Sequence, residues 1–180
     1  MPKEQSWFLA RSSNDVVRSA YMRSKRLLHD HAPLQEILAG LVRAAEKIAG
    51  PDTVASILVL DEDGLLRNGA SPKLPADYLA AIDRLKPQAD LGTCASAAAT
   101  GAVVITPSFL ADDKWAELRH LPLALGFAGA WSMPIKSATR RVLGTFGTYY
   151  RTVREPNARE LSAVGTLAAC AALALEANAA

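Results

Sequence analysis

The sequence predicts an α+β domain in which a mostly antiparallel sheet lies between a layer of helices and a layer rich in loops. Three observations support this class. Segments with apolar residues at helical spacing stand near both ends of the chain, a hairpin signal lies at residues 53–70, and two adjacent strand-like segments follow at residues 129–150. The 180 residues, half of them hydrophobic, suit one globular domain with a few extra helices.

Composition excludes several kinds of partner. The 20 basic and 18 acidic residues are interspersed and give a formal charge of +2, so neither a nucleic acid nor a membrane is expected as a partner. The two cysteines, Cys94 and Cys170, and the three histidines have no disulfide or metal-ligand spacing, so no metal or cofactor is expected. The first residues do not resemble a signal peptide, and we expect a cytoplasmic protein.

The N-terminal part reads as two helices. Residues 12–30 have a basic face that we interpret as solvated, and residues 34–48 follow the 3.6-residue period after Pro33. Gly50 and Pro51 end the second helix. We therefore divide the chain into an N-terminal helical extension, residues 1–31, and a domain, residues 32–180.

A hairpin and a short helix come next. Residues 53–60 are β-branched and aliphatic, residues 61–64 form a turn, and residues 65–70 return as the second strand. The continuous apolar character of the first strand indicates that both faces of the sheet are covered. Residues 76–85 predict a short helix.

The central stretch, residues 91–111, contains no charged residue but several hydroxyls. We expect a helix of small residues from Cys94 to Thr100, with Thr93 as its N-cap and Gly101 in a left-handed conformation, followed by a strand at 102–106. The first turn of such a helix offers unpaired N–H groups to an anion, although at most helix N-termini a cap, here Thr93, and ordered water satisfy these groups.

The remaining segments complete the sheet and its helical layer. Residues 106–115 form a loop, and Asp112 or Asp113 is expected to cap a short helix. Residues 121–127 are apolar but broken by proline and glycine. Strands follow at 129–135, where Pro134 indicates an edge or a bulge, and at 141–150, and a helix runs from residue 157 to the C-terminus.

Four motifs in this order resemble a bacterial branch of the GAF family, whose members typically read GSCGTAA, DPRW, ACWSTPI and VLGTFAIYY. The corresponding segments here are LGTCASAA at 91–98, DDKW at 112–115, GFAGAWSMPI at 126–135 and RVLGTFGTYY at 141–150. The resemblance implies a six-stranded antiparallel sheet with the N- and C-terminal helices on one face and a ligand pocket with a lid on the other. The residues expected around the ligand are Cys94, Ala95, Ser96, Ile105, Phe109, Leu110, Trp115 and Trp131.

The resemblance further implies a sensing domain rather than an enzyme. No carboxylate lies at residues 91–111 or 119–137, which favours a neutral or small anionic ligand, and some members of this branch resemble nitrate receptors. We expect signalling through the terminal helices to a downstream protein, as in two-component regulation, and a homodimer. One alternative is a free methionine-(R)-sulfoxide reductase, which needs a second pocket cysteine besides Cys94. The other is an interaction module whose pocket is filled by its own side chains.

Overall fold

A computed structural model describes the backbone of residues 3–179 and the side chains of residues 13–179. Residues 1, 2 and 180, which belong to the predicted N-terminal extension (1–31) and the predicted domain (32–180), lie outside the described part. The helices are α1 Lys3–His29, α2 Leu34–Ala49, α3 Ala76–Ala81, α4 Thr93–Thr100, α5 His120–Ala124 and α6 Ala158–Ala179. The strands are β1 Thr53–Leu60, β2 Leu66–Ala70, β3 Val104–Thr106, β4 Gly129–Lys136 and β5 Val142–Tyr150.

The sheet is antiparallel throughout, in the order β2-β1-β5-β4-β3. It has five strands within residues 3–179, so the expectation of six strands is corrected. The apolar stretch between β3 and β4 is interrupted by Pro107, Pro122 and Gly126, and it forms a 3-10 turn at Asp113–Trp115 and the short helix α5 instead of a strand.

The two faces of the sheet carry different layers, as predicted. Side chains on one face pack against α2 and α6, which in turn contact α1, and side chains on the other face pack against α3, α4 and the segment from β3 to β4. Neighbouring strand residues alternate between the faces. On the helical face lie Ala55, Ile57, Trp131, Ile135, Phe146 and Tyr150. On the opposite face lie Val54, Leu58, Ala130 and Tyr149.

Several element boundaries differ from the predicted ones. The first helix begins at Lys3 rather than at residue 12, and α3 ends at Ala81 because the chain turns at Arg84, which has a φ of 64°. The predicted N-cap of α4, Thr93, is its first helical residue, and the N-cap is Gly92 with no side-chain cap. Asp112 does cap the 3-10 turn, because its side chain accepts a hydrogen bond from the backbone N–H of Lys114.

Pro134 lies where β4 has a strand neighbour on one side only. It pairs with Thr145 of β5, whereas β3 pairs with β4 only from Ala130 to Ser132. The register shifts between Ile135 and Lys136, just beyond the proline. Pro134 is thus tolerated because no strand needs a hydrogen bond from β4 on its outer side at this point.

Helix α6 is long and apolar enough to cross a membrane by composition, but 56% of its most apolar window is buried inside the fold. It packs against α1, α2, β4 and β5. Its N-terminus is a reciprocal cap, in which the Asn157 side chain accepts from the Glu160 N–H and the Glu160 carboxylate accepts from the Asn157 N–H. The apolar composition is therefore explained by its position as the central helix of the helical layer.

Candidate functional site

The candidate site is the start of α4, where this helix lies against β4 and β5. Gly92 precedes the helix with a φ of +57°, a backbone conformation that residues other than glycine rarely adopt. Gly101 ends the helix in a left-handed conformation, as predicted. The small side chains of α4 bring its backbone close to the sheet. A Cβ atom at Gly147 of β5 would lie 3.0 Å from Cys94 Sγ, so only glycine allows this approach without a shift of its neighbours.

A cluster of hydroxyl groups and one thiol fills the space between α4 and the sheet. Cys94 Sγ lies 2.9 Å from Ser132 Oγ, and Ser132 Oγ lies 3.4 Å from Thr93 Oγ1. Ser56 Oγ would lie 3.1 Å from a Cβ atom at Gly147, so it faces the same space. The Ser56 hydroxyl is fully buried and has no hydrogen-bond partner within the described chain. The same holds for the hydroxyl of Thr145, which lies in β5 on the same face of the sheet.

The environment of Cys94 makes its thiol a poor nucleophile. Burial raises the pKa of the Cys94 thiol, and hydrogen bonding to Ser132 offsets this only in part. Cys170 is also a free, buried cysteine, but it packs in the cluster of the helical face, on the other side of the sheet from Cys94. The two sulfur atoms are therefore separated by the sheet.

A lid, residues 109–115, covers the start of α4. Its aromatic residues Phe109 and Trp115 pack against each other with ring centroids 4.4 Å apart. The Trp115 ring also covers Gly92, because a Cβ atom there would lie 3.6 Å from Trp115 Cζ2. The Gly92 N–H donates a hydrogen bond of 2.7 Å to the Lys114 carbonyl, so the lid and the helix start are joined through the backbone as well.

Besides the buried hydroxyls of the sheet, hydrogen-bond donors that cannot accept are left without partners around the helix start. The Trp115 indole N–H, which can only donate, is buried and makes no hydrogen bond within the described chain. The N–H groups of the first turn of α4, at Thr93, Cys94 and Ala95, have no acceptor within the helix and receive no side-chain cap. They also lie at the positive end of the helix dipole. This arrangement favours a ligand that accepts hydrogen bonds.

The nearby carboxylate of Asp112 is engaged with the lid itself. It accepts from Thr106 Oγ1 at 2.6 Å, and from the backbone N–H and Nζ of Lys114 at 3.1 and 2.9 Å. Partial burial opposes its ionisation, but these donors outweigh burial and lower the pKa of Asp112. Its charge is therefore matched by Lys114 rather than offered to a cationic ligand.

Two tyrosines extend the same wall towards α3. Tyr78 of α3 donates a hydrogen bond of 2.9 Å to the Tyr149 hydroxyl of β5, and their rings meet edge to face. Tyr149 also stacks at a tilt on Phe127, with centroids 5.2 Å apart. Burial raises the pKa of both tyrosines, so both hydroxyls stay protonated and polar.

The structure brings together four of the eight residues expected around a ligand. Cys94, Ala95, Phe109 and Trp115 belong to one buried cluster between the sheet and the lid. Ser96 is buried beside them, but its hydroxyl donates to the Ala89 carbonyl at 2.6 Å and is not free for a ligand.

The structure places the other three expected residues elsewhere. Ile105 and Trp131 are paired across β3 and β4 and pack on the helical face, because their positions in the strands point away from α4. Trp131 donates from Nε1 to the Tyr150 hydroxyl at 2.8 Å and is a core residue. Leu110 is 69% exposed and points away from the buried cluster.

The sequence reasoning missed the polar residues of the sheet that face α4, namely Ser56, Ser132, Thr145 and Tyr149. Strand alternation was the available signal. Because Ser132 follows Trp131 directly, the two side chains must lie on opposite faces, and the small residues of β5 alternate with Phe146 in the same way.

The described side chains, those of residues 13–179, include no group of three histidine, cysteine or acidic residues that could hold a metal ion. Among the described side chains, cavities on the helical side of the fold include the following two. One, of about 300 Å³, lies between the ends of α2 and β5 and the start of α6, and a smaller one lies between α1, α2 and α6. The site at α4 is closed by the side chains of Phe109 and Trp115, both of which are buried.

The fold and site define a class of α+β domain in which one sheet separates a layer of terminal helices from a lidded site at a helix start. A sequence model of the GAF domain matches residues 31–176. The chain therefore belongs to the GAF family.

Similar proteins agree with this assignment. The chain is 36% identical over 146 residues to the methyl sulfide methyltransferase-associated sensor of Methanosarcina acetivorans, a match that covers 81% of this chain and 14% of that protein. The chain thus spans only a small part of this relative's length.

Solved structures share the fold at low sequence identity. One is a domain assigned to a two-component sensor histidine kinase from Sinorhizobium meliloti, with a TM-score of 0.67, 22% identity, and coverage of 80% of this chain and 91% of that one. Another is a free methionine-R-sulfoxide reductase from Neisseria meningitidis in complex with its substrate, with a TM-score of 0.68, 16% identity, and coverage of 91% and 90%. At these identities the likeness shows the fold alone.

Proposed function

We propose that this GAF domain is a sensor that binds a small neutral or anionic molecule between the start of α4 and Trp115. The observation that carries this proposal is the buried indole N–H of Trp115, which has no partner within residues 3–179 and lies beside the uncapped first turn of α4. A buried donor without a partner costs free energy, and a ligand that accepts from it would recover that cost.

A small oxyanion of the nitrate type fits these donors best. Its oxygens are able to accept from the indole and from the first-turn N–H groups together, and the helix dipole favours its charge. The charge of the lid carboxylate of Asp112 is matched by Lys114. The ligand would displace no ion pair on entry, but the lid must open to admit it.

We further propose that ligand binding is transmitted to the terminal helices, and from them to a downstream protein in two-component regulation. Tyr149 contacts the lidded side through Tyr78, and the next residue, Tyr150, donates to Glu160 of α6 on the helical side. A change in the setting of β5 would therefore reach α6 directly. The same helices would form a cytoplasmic homodimer, and a monomer in light scattering at all concentrations would contradict that part of the proposal.

The reductase alternative has less support. Such chemistry needs a thiolate and a resolving thiol within disulfide reach. Cys94 is held protonated by burial, and Cys170 lies across the sheet. We therefore propose that the domain is not an enzyme.

The test is a thermal-shift and calorimetric titration with nitrate, nitrite and neutral metabolites, at constant ionic strength. A ligand at 100 times its dissociation constant adds about 2.7 kcal/mol of stability, which corresponds to a rise in Tm of several degrees. Trp115→Phe removes the indole N–H and keeps most of the aromatic packing, so we expect it to fold and to bind the ligand at least about tenfold more weakly.

The matched control is Leu110→Ala, a change on the exposed part of the same lid, which should keep the full ligand response. An equal response in the Trp115 variant and in the native chain would show that the ligand binds elsewhere. No response to any compound would support the alternative of an interaction module with a self-filled pocket.

A further inference from the structure

The larger of the two cavities lies at one end of the sheet, on its helical side. Its volume is about 300 Å³, and its walls are the end of α2, the start of β1, the end of β5 and the first turn of α6. This volume corresponds to about ten water molecules, which leaves room for a small organic molecule.

Charged side chains of both signs border this cavity. Arg154 and Arg159 lie at it together with the carboxylates of Asp52 and Glu160, whereas the Arg151 guanidinium lies over the Phe127 ring on the opposite face of the sheet. Glu160 is already saturated, since its two oxygens accept from both terminal nitrogens of Arg154 at 2.7 and 2.9 Å. Arg159 and Asp52 are therefore the charged groups of the cavity that form no ion pair within the described residues.

Arg159 is the cation that the fold itself does not explain. It occupies the first turn of α6, where the helix dipole disfavours a positive charge. It forms no ion pair within the part of the chain that the structure describes, whereas Arg154 pairs with Glu160 and Arg151 donates to the Leu125 carbonyl at 2.8 Å. A locally unfavourable charge at a cavity is typical of a binding site.

Uncharged donors face the same space. Thr53 is only 2% exposed, and it pairs in register with Tyr150, so both side chains lie on the helical side of the sheet where the cavity opens. The Thr53 hydroxyl makes no hydrogen bond within residues 13–179. The first-turn N–H groups of α6 at Ala158 and Arg159 also lack intrahelical acceptors.

We propose that this cavity binds a phosphate group, either as inorganic phosphate or as the head of a small phosphate monoester. Phosphate carries between one and two negative charges at neutral pH and several acceptor oxygens, which matches an arginine, a hydroxyl and helix N–H groups that converge from three elements. The site is independent of the one at α4, and it lies beside the Arg154–Glu160 pair that holds the start of α6.

The experiment is isothermal titration of the full chain with sodium phosphate and with glycerol phosphate, against sodium chloride at equal ionic strength. We expect saturable binding of the phosphate compounds and none of chloride. Tighter binding of inorganic phosphate would indicate a site for the free ion, and tighter binding of glycerol phosphate would indicate a site for a monoester.

Two variants locate the site. Arg159→Ala should weaken phosphate binding by about tenfold or more, because a charge-assisted contact is lost, without lowering the Tm of the free protein. Thr53→Val should weaken it less and keep the shape of β1. Arg43→Ala, which removes an exposed cation from the middle of α2, should change nothing.

Equal weakening in the Arg159 and Arg43 variants would show that the response is a general charge effect and would overturn the proposal. An absence of saturable binding to either phosphate compound would overturn it as well. Neither result would bear on the lid site, because Trp115 and nitrate are not involved.

Discussion

Replacing Glu160 with alanine should destabilise the domain more than any surface change of the same charge. The Glu160 side chain is 2% exposed and accepts four hydrogen bonds, two from Arg154, one from the Asn157 N–H and one from the Tyr150 hydroxyl. Alanine leaves these donors without their acceptor and removes half of the reciprocal cap of α6.

The expected loss follows from these contacts. Removing a helix cap costs about 1 kcal/mol. Breaking a fully buried ion pair costs about 3–5 kcal/mol, but Arg154 is 32% exposed and remains partly hydrated, so we take about 2 kcal/mol for this contact. The sum of about 3 kcal/mol corresponds to a fall in Tm of about 6–12 °C for a chain of this size.

The pH dependence provides a second readout. Burial opposes ionisation of Glu160, but Arg154 and the Asn157 N–H outweigh it and lower the pKa of Glu160 below its ordinary value of 4.5. The carboxylate therefore contributes stability above pH 4.5, and this contribution is lost as the pH falls through the lowered pKa. The difference in Tm between the native chain and the Glu160 variant should narrow over that range.

Urea denaturation and thermal unfolding at several pH values measure both effects. Glu117→Ala is the control, because Glu117 is exposed and forms no ion pair within the described residues, and its effect should stay within about 0.5 kcal/mol. A loss below about 1 kcal/mol in the Glu160 variant, or a difference that does not change with pH, would refute the assignment of Glu160 as the residue that anchors α6 to β5.

Two further predictions concern the site at α4. Gly147→Ala should lower stability by about 1–2 kcal/mol, because its methyl group would meet Cys94 Sγ and Ser56 Oγ at 3.0 and 3.1 Å. Gly165→Ala, whose methyl group would meet only Met133 at 3.8 Å within helix α6, should instead raise stability by up to about 1 kcal/mol, so a loss in both variants would contradict the packing argument. The Cys94 thiol should react with a disulfide reagent at neutral pH only as fast as the protein opens, and rapid labelling of the folded chain would contradict its burial and raised pKa.

The sequence predicted the layers of this fold because the periodicities are strong. The apolar positions of α2 and the β-branched run of β1 place these elements within one residue of their observed bounds. The family resemblance is confirmed, but the sixth strand taken from it was wrong. The residues themselves show only five strand-like segments, because Pro107, Pro122 and Gly126 interrupt the sixth candidate stretch.

The candidate site was harder to predict, since it depends on which way each strand residue points. A tryptophan is as suitable for a core as for a pocket. Trp131 and Ser132 are neighbours in β4, so a difference of one position decides which of the two side chains faces α4. The hydroxyls of Ser56 and Thr145 come from strands far apart in sequence, so no local pattern joins them to Cys94. The cap of α4 was missed because Gly92, not Thr93, adopts the unusual backbone conformation.

The neighbouring tyrosines of β5 also bear on how the sheet finds its register during folding. Tyr149 bonds to Tyr78 on one face, and Tyr150 bonds to Trp131 and Glu160 on the other. If β5 slipped by one residue, each tyrosine would move to the wrong face and both hydroxyls would be buried away from their partners. A one-residue slip of β5 would therefore lose both hydrogen-bond networks at once, so this pair of tyrosines favours the native register.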